Sequence, residues 1–279
     1  MTRWTLFFAA ILLCVPVITG AQPTPGPSVT GVAHIALRVS DLDAEVSFFN
    51  KLGYEKSFTD VDRGKTLQVL IKINDRTFIQ LYPSDGKQPL GFMHVAYETQ
   101  DAKGLNARYV AAALKPSAVH QDGAGDVWFN MPDPDGRTTE FMQYLPNSKQ
   151  AADVGQHLTD QYVSNELMGF EMPVKEVAAS ENFYSALGFN TDADGSNVRL
   201  SLPSNPDVRI VLHPTRPGSQ PQLLFPVDDA QKVAEWLTKK GLTVDVQNKL
   251  LFLNDKDGNS FVLLETAEHN KKSLIPWKK

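Results

Sequence analysis

Four side chains have the types and the spacing of a divalent-metal site: His34, Gln80, His94 and Glu140. His34 and Gln80 stand 46 residues apart, and so do His94 and Glu140. Two imidazoles and one carboxylate, with positions left open, are a common ligand set for Fe, Mn, Zn, Co or Ni. The amide oxygen of Gln80 is able to add a neutral fourth ligand. A lone strand histidine is usually a hydrogen-bonded structural residue. Two at matched places, each with a polar partner the same distance on, favour one bound divalent ion whose identity the sequence does not give.

The segments that must carry these residues are written twice. Gly31-Val-Ala-His-Ile-Ala-Leu-Arg-Val-Ser-Asp41 and Gly91-Phe-Met-His-Val-Ala-Tyr-Glu-Thr-Gln-Asp101 are the same alternating run. Each leads through a polar capping residue (Ser40 in the first, Thr99 or Asp101 in the second) into a helix. Leu42, Val46, Phe49 and Leu52 recur at helical spacing before Gly53, and Leu105, Tyr109 and Ala112 do so before Pro116. Strand-like runs follow, over 67–73 and 77–82 in the first unit and over 127–131 and 138–144 in the second. Residues two apart on a strand share a face. His34 therefore goes with Ala36 and Arg38, and His94 with Ala96 and Glu98. The apolar Ile35, Leu37, Val39, Val95 and Tyr97 take the other side, so the histidines face a concave, polar surface and the helices cover the reverse.

The unit returns twice in weaker form. Residues 170–174 lead into a helix around Phe183 and Leu187 that Gly188 closes, with strands over 198–202 and 209–212. Residues 223–227 lead into a helix over 229–240 stopped by Gly241, with strands over 250–253 and 261–265. Leu187-Gly188-Phe189 echoes Leu52-Gly53-Tyr54, and Asp255-Lys-Asp-Gly258 echoes Asp133-Pro-Asp-Gly136. Alignment on these landmarks puts Gly169, Val211, Gln222 and Val262 opposite His34, Gln80, His94 and Glu140. None of those four is a good ligand, so the second half is expected to lack a metal site and to act as a structural partner or lid.

Tandem βαβββ units, with a histidine in the first strand and Asp-Pro-Asp-Gly-x-x-x-Glu leading into the last, resemble the vicinal oxygen chelate superfamily. That superfamily comprises glyoxalases, bleomycin-resistance proteins and extradiol dioxygenases. The resemblance implies an α+β fold of four βαβββ units paired into two glyoxalase-like half-open barrel domains, over 30–145 and 165–267, joined by a linker over 146–164. It also implies a metal that chelates neighbouring oxygens of a small substrate and stabilises a developing enolate or other oxyanion.

The departures matter. Glyoxalase I enzymes usually carry a glutamate, both ligand and base, where this chain has Gln80, and an amide is no base near neutral pH. The set His, Gln, His, Glu is similar to methylmalonyl-CoA epimerase, whose substrate an exported protein seldom meets. The extradiol pattern has a tyrosine where Asn130 stands, and His120 lies too far upstream to replace it. Fosfomycin-modifying relatives share the His, His, Glu triad in shorter, single-domain chains. The expected activity is therefore a metal-dependent lyase, isomerase or dioxygenase, with Glu140 as ligand and base. Glu98 and His120 are secondary candidates for proton transfer, and Arg38 for holding an anionic substrate. The alternatives are a sequestering protein that binds a small ligand without chemistry, and a module with a structural metal closed by four protein ligands.

Bulk properties bound the rest. Residues 1–21 read as a secretory signal peptide, with Arg3, an apolar run over 4–19 and small residues up to Ala21. The proline-rich 22–29 reads as a flexible spacer and 268–279 as a tail. The expected location is secreted or periplasmic, with no stable membrane span after cleavage. Cys14 is the only cysteine, so cleavage would remove disulfides and thiolate ligands from consideration. A net charge of −5 argues against nucleic acid as a partner. A small molecule is the expected partner, to a monomer or homodimer. Pairing of the first unit with the second, within one chain or by exchange in a dimer, is what assembles all four ligands.

Overall fold

The structure, a computed structural model, describes residue 26 and residues 28–266. The signal-peptide and tail expectations lie outside the described residues, as does most of the proline-rich spacer. Among the described residues no helix is long and apolar enough to cross a membrane.

The first half runs β1 (Val29–Val39), α1 (Leu42–Lys51), β2 (Glu55–Asp62), β3 (Lys65–Lys72) and β4 (Phe78–Pro83). It continues with β5 (Gly91–Thr99), α2 (Ala102–Ala111), β6 (His120–Gln121), β7 (Val127–Pro132) and β8 (Thr138–Gln143). A short α3 (Lys149–Ala152) follows. The second half runs β9 (Gly169–Val174), α4 (Val177–Leu187), β10 (Asn190–Asp194), β11 (Asn197–Leu202) and β12 (Asn205–Pro214). Then come β13 (Gln222–Val227), α5 (Ala230–Lys239), β14 (Asp245–Gln247), β15 (Leu250–Asn254) and β16 (Ser260–Glu265). Each half is one sheet. Their strand orders, β2-β3-β4-β1-β5-β8-β7-β6 and β10-β11-β12-β9-β13-β16-β15-β14, are identical in form. The expected four units and two half-open barrels are thus present. β1 pairs antiparallel with β5 inside the chain, which joins the first unit to the second.

The strand pattern explains which way each sheet faces. Ile35, Leu37, Val39, Val95 and Tyr97 are fully buried in one apolar cluster that runs through both halves. Phe49 of α1 meets Phe261 of β16 at 5.6 Å between ring centroids, and Tyr184 of α4 meets Phe189, which in turn lies 5.0 Å from Tyr97. The convex faces thus bury their apolar residues against helices, while the alternate residues face each concave side.

The first helix differs from expectation at its cap. Asp41, not Ser40, caps α1, accepting from the backbone N–H of Asp43 and Ala44 at 3.1 Å each. Ser40 is turned instead to the second half, where its N–H and hydroxyl donate to the Asp257 carboxylate at 2.7 and 2.6 Å. Adjacent Ser and Asp are both good caps, and a tertiary contact decides between them. Asp101 and Asp229 cap α2 and α5 in the same way as Asp41.

Gly53 ends the first helix with φ +91°. A β-carbon there would lie 2.1 Å from the Gln161 carbonyl oxygen, so only glycine lets the segment before β9 cross this turn. The crossing is fixed by Val163 N–H donating to the Leu52 carbonyl at 2.9 Å.

Candidate metal centre

The site is built from strand register. Two rows of side chains cross the concave face of the first sheet. One runs Phe78–His34–Ala96–Glu140–Asn130, the other Gln80–Ala36–His94–Thr138. A pseudo-twofold axis between β1 and β5 exchanges His34 with His94, Ala36 with Ala96 and Gln80 with Glu140. In each row an alanine separates a histidine from its partner. A larger side chain at either place would fill the space through which the ligands meet.

His34, His94 and Glu140 converge, each offering one ligand atom within 4.8 Å of the others. His34 Nε2 is 3.1 Å from His94 Nε2 and 3.6 Å from Glu140 Oε1, and His94 Nε2 is 4.0 Å from Glu140 Oε2. Ligands about 2.0–2.2 Å from one ion stand about 3.0–3.5 Å apart in tetrahedral or octahedral-cis geometry. The imidazole pair at 3.1 Å falls in that range, and the carboxylate oxygens stand a little wider, at 3.6 and 4.0 Å, so a bound ion would draw Glu140 in by a few tenths of an ångström or more. Gln80 supplies a further test of fit. Its Oε1 is buried without a hydrogen-bond partner, while its amide nitrogen donates to Gln68 Oε1 at 2.6 Å. A buried acceptor with no donor is costly unless a cation meets it.

The electrostatics point the same way. Burial, with the neighbouring His94 adding to it, holds the His34 imidazolium well below its usual range, and burial brings His94 down to about 4. Burial pushes Glu140 up to about 8, helped by the charge of Asp122. Two neutral imidazoles and a carboxyl that resists ionisation lack a positive charge, and a dication would reverse that penalty.

The side chains around the triad are partly apolar. Ala33, Ala96 and Met142 pack with Trp128 and Tyr144 in a small cluster apart from the main core. Phe78 meets the Tyr144 ring at 6.3 Å. Tyr82 lies two residues beyond Gln80, its ring 6.4 Å from that of His94. Burial and the charges of Glu140, Asp60 and Asp122 push its phenol well above the usual range, so it remains a neutral hydroxyl. Strand parity from Gln80 was the signal that could have singled out Tyr82 in the sequence.

The secondary candidates are placed apart from the triad's contacts. Glu98 is buried on the same strand face as His94, but Arg76 and Gln100 engage its carboxylate, Arg76 Nε at 3.1 Å and Gln100 Nε2 at 2.9 Å. His120 is exposed on β6 and lies 5.2 Å from the Trp128 ring. Arg38 donates to the Pro89 carbonyl at 3.3 Å, near the loop that enters β5.

In the second sheet the corresponding register brings different residues to the same places. Glu171 pairs with Val211 and with Gln222, as Ala36 pairs with Gln80 and His94. Leu224 pairs with Gly169 and Val262, as Ala96 pairs with His34 and Glu140. Among the described residues the His34, His94, Glu140 group is the one cluster of three or more potential ligands.

Four βαβββ units paired into two half-open barrels define the vicinal oxygen chelate fold, here in its two-domain form with a His, His, Glu cluster in the first barrel. Solved structures of that fold are similar to this chain over most of its length. A catechol 2,3-dioxygenase matches with TM-score 0.66 at 15% identity, over 86% of this chain and 88% of that one. The Mn(II)-bound glyoxalase from Novosphingobium aromaticivorans matches with TM-score 0.65 at 17% identity, over 86% and 83%. Homoprotocatechuate 2,3-dioxygenase from Brevibacterium fuscum, in an anaerobic substrate complex, matches with TM-score 0.64 at 14% identity, over 87% and 82%. At such identities the likeness concerns the fold. No protein-family model and no curated protein sequence matches the chain.

Proposed function

We propose that this protein is a metal-dependent enzyme of the vicinal oxygen chelate type, acting on a small molecule with two neighbouring oxygens. The observation that carries the reading is the triad itself: two imidazole nitrogens 3.1 Å apart with the two Glu140 oxygens 3.6 and 4.0 Å from them, nearly excluded from water, and the orphaned Gln80 oxygen in the adjoining row. His34, His94 and Glu140 would hold one divalent ion, with Gln80 as a neutral fourth ligand. The ion would act as a Lewis acid on the chelated oxygens, stabilising negative charge as it develops there.

The chain's own residues supply the rest. Glu140, a ligand in this reading, is also the carboxylate that would stand beside the chelated oxygens, and is the residue placed to accept or return a proton there. Tyr82 keeps its hydroxyl proton and can donate a hydrogen bond to a substrate oxygen. Phe78, Trp128, Met142 and Tyr144 exclude water from one side of the site. The glyoxalase and dioxygenases of the same fold support a reaction that begins with oxygen chelation, while Gln80 argues against chemistry that needs a second carboxylate base. The amino-terminal pattern supports an exported protein.

The test is to load the chain with Fe(II), Mn(II), Co(II), Zn(II) or Ni(II) and supply catechols and α-hydroxycarbonyl compounds. Oxygen uptake reads dioxygenase chemistry, and exchange of a carbon-bound proton with deuterated water reads enolisation. Metal-dependent turnover of one class, lost in Glu140→Ala, is the expected result. Tight ligand binding with no turnover under any metal would favour the sequestering alternative.

A further inference from the structure

We propose that Gln68 is a positioning residue for the metal centre: with Asp60 and Lys149 it forces the Gln80 amide to present its oxygen, not its nitrogen, to the ion. This inference rests on the metal reading above. A glutamine side chain has a donor end and an acceptor end, and only the oxygen can coordinate a cation. Something must decide which end faces the site.

The decision is made from a charged end far along the sequence. Lys149, at the start of α3, can only donate, and its ammonium contacts Asp60 Oδ1. Paired in this way, Asp60 can only accept, so Gln68 must turn its amide nitrogen to Asp60 Oδ2, which it does at 2.6 Å. Gln68 then presents its oxygen to Gln80, and Gln80 answers with its nitrogen, again at 2.6 Å. The chain leaves Gln80 Oε1 as its free end, buried and without a partner. Every donor and acceptor follows from the one before. No link can be flipped without setting two donors or two acceptors against each other.

The pseudo-symmetry supports the assignment. Leu70 pairs with Gln80 as Asn130 pairs with Glu140, so two residues back Gln68 corresponds to Trp128. Beside Glu140, whose two oxygens are equivalent, that position holds an aromatic residue with no orienting role. Beside Gln80, whose two ends differ, it holds an amide. Lys149 is also fixed in place: its N–H donates to the Ala124 carbonyl at 2.9 Å, and its ammonium lies 5.5 Å over the Phe58 ring. The segment between the two barrels is thereby part of the support of the metal site.

The experiment uses the full chain and Co(II) as the probe, reading affinity by competition and coordination by visible absorption. Gln68→Leu is expected to lower Co(II) affinity about tenfold and to shift the spectrum towards that of Gln80→Leu. The discriminating background is Gln80→Glu, whose carboxylate has no wrong end. There, Gln68→Leu is expected to cause no loss of affinity, because it removes only an oxygen that the new carboxylate would have to face. Equal loss in both backgrounds would mean that Gln68 merely supports the fold, and would overturn the inference. So would an unchanged affinity and spectrum in Gln68→Leu alone. A wild-type chain that takes up no Co(II) would overturn the metal reading, and this inference with it.

Discussion

His34 and Glu140 lie on strands two apart, with Ala96 of β5 between them, yet Nε2 of one is 3.6 Å from Oε1 of the other. Strands two apart are separated by roughly 9–10 Å, so the contact exists only because the sheet curls and the residue between is a methyl group. The same arrangement puts Ala36 between His94 and Gln80.

Ala96→Leu should therefore abolish metal binding without removing a ligand. The added bulk would hold His34 and Glu140 apart, at a stability cost of about 1–3 kcal/mol from overpacking a fully buried site. Calorimetric metal titration reads the first effect, and urea unfolding followed by circular dichroism the second. Unchanged affinity in a folded Ala96→Leu variant would show that the ligands do not meet across this residue.

Metal uptake should release one proton near pH 6.5, not two or three. His94 titrates at about 4 and His34 is held well below its usual range, so both imidazoles are already neutral there. Glu140, raised to about 8, is protonated in the metal-free protein and must ionise to bind. Apparent affinity should rise about tenfold per pH unit up to about 8 and level off above it. Titrations in buffers of different ionisation enthalpy count the protons directly.

Glu45 makes a separate prediction about stability. Its carboxyl is fully buried on α1, neither oxygen has a donor, and Asp255 of the second half faces it. The Asp255 oxygens already accept from the N–H groups of Asp257 and Asn259 and from the Asn259 amide. Burial first, then the charge of Asp255, raises Glu45 from 4.5 to about 9, so it stays protonated when folded and ionises when unfolded. The folded state thus binds the extra proton throughout this window. The contribution is present in full below about 4.5 and is lost progressively as pH rises towards 9. Glu45→Gln, which keeps a donor at every pH, should stabilise the chain at pH 8 by about 1–3 kcal/mol and flatten its alkaline decline. Equal denaturation midpoints for wild type and variant at pH 5 and pH 9 would contradict this.

The sequence carried the architecture because its signals are local and repeated. Two-residue parity on β1 and β5 told the concave from the convex face, and the repeated Asp-x-Asp-Gly turns fixed the registers of β8 and β16. His34, His94 and Glu140 could be brought together on paper because the 46-residue spacing repeats. Contacts between distant segments were not legible. Nothing near Ser40 in the sequence announces Asp257, so local pattern points to Ser40 as the cap where the fold uses Asp41. Arg76, which takes up Glu98, comes from the turn before β4 and has no motif. Lys149 reaches Asp60 across 89 positions, and only the folded sheet reveals that the two share a hydrogen-bonded chain with a metal-ligand candidate.

The central claim is that the first barrel holds one divalent ion between His34, His94 and Glu140. Elemental analysis of the purified chain after metal-replete expression, beside a folded His94→Ala variant, tests it most directly. The account predicts about one transition-metal ion per wild-type chain, as one triad implies, and little or none in the variant. A wild-type chain without stoichiometric metal, or a variant that keeps its full complement, would contradict it.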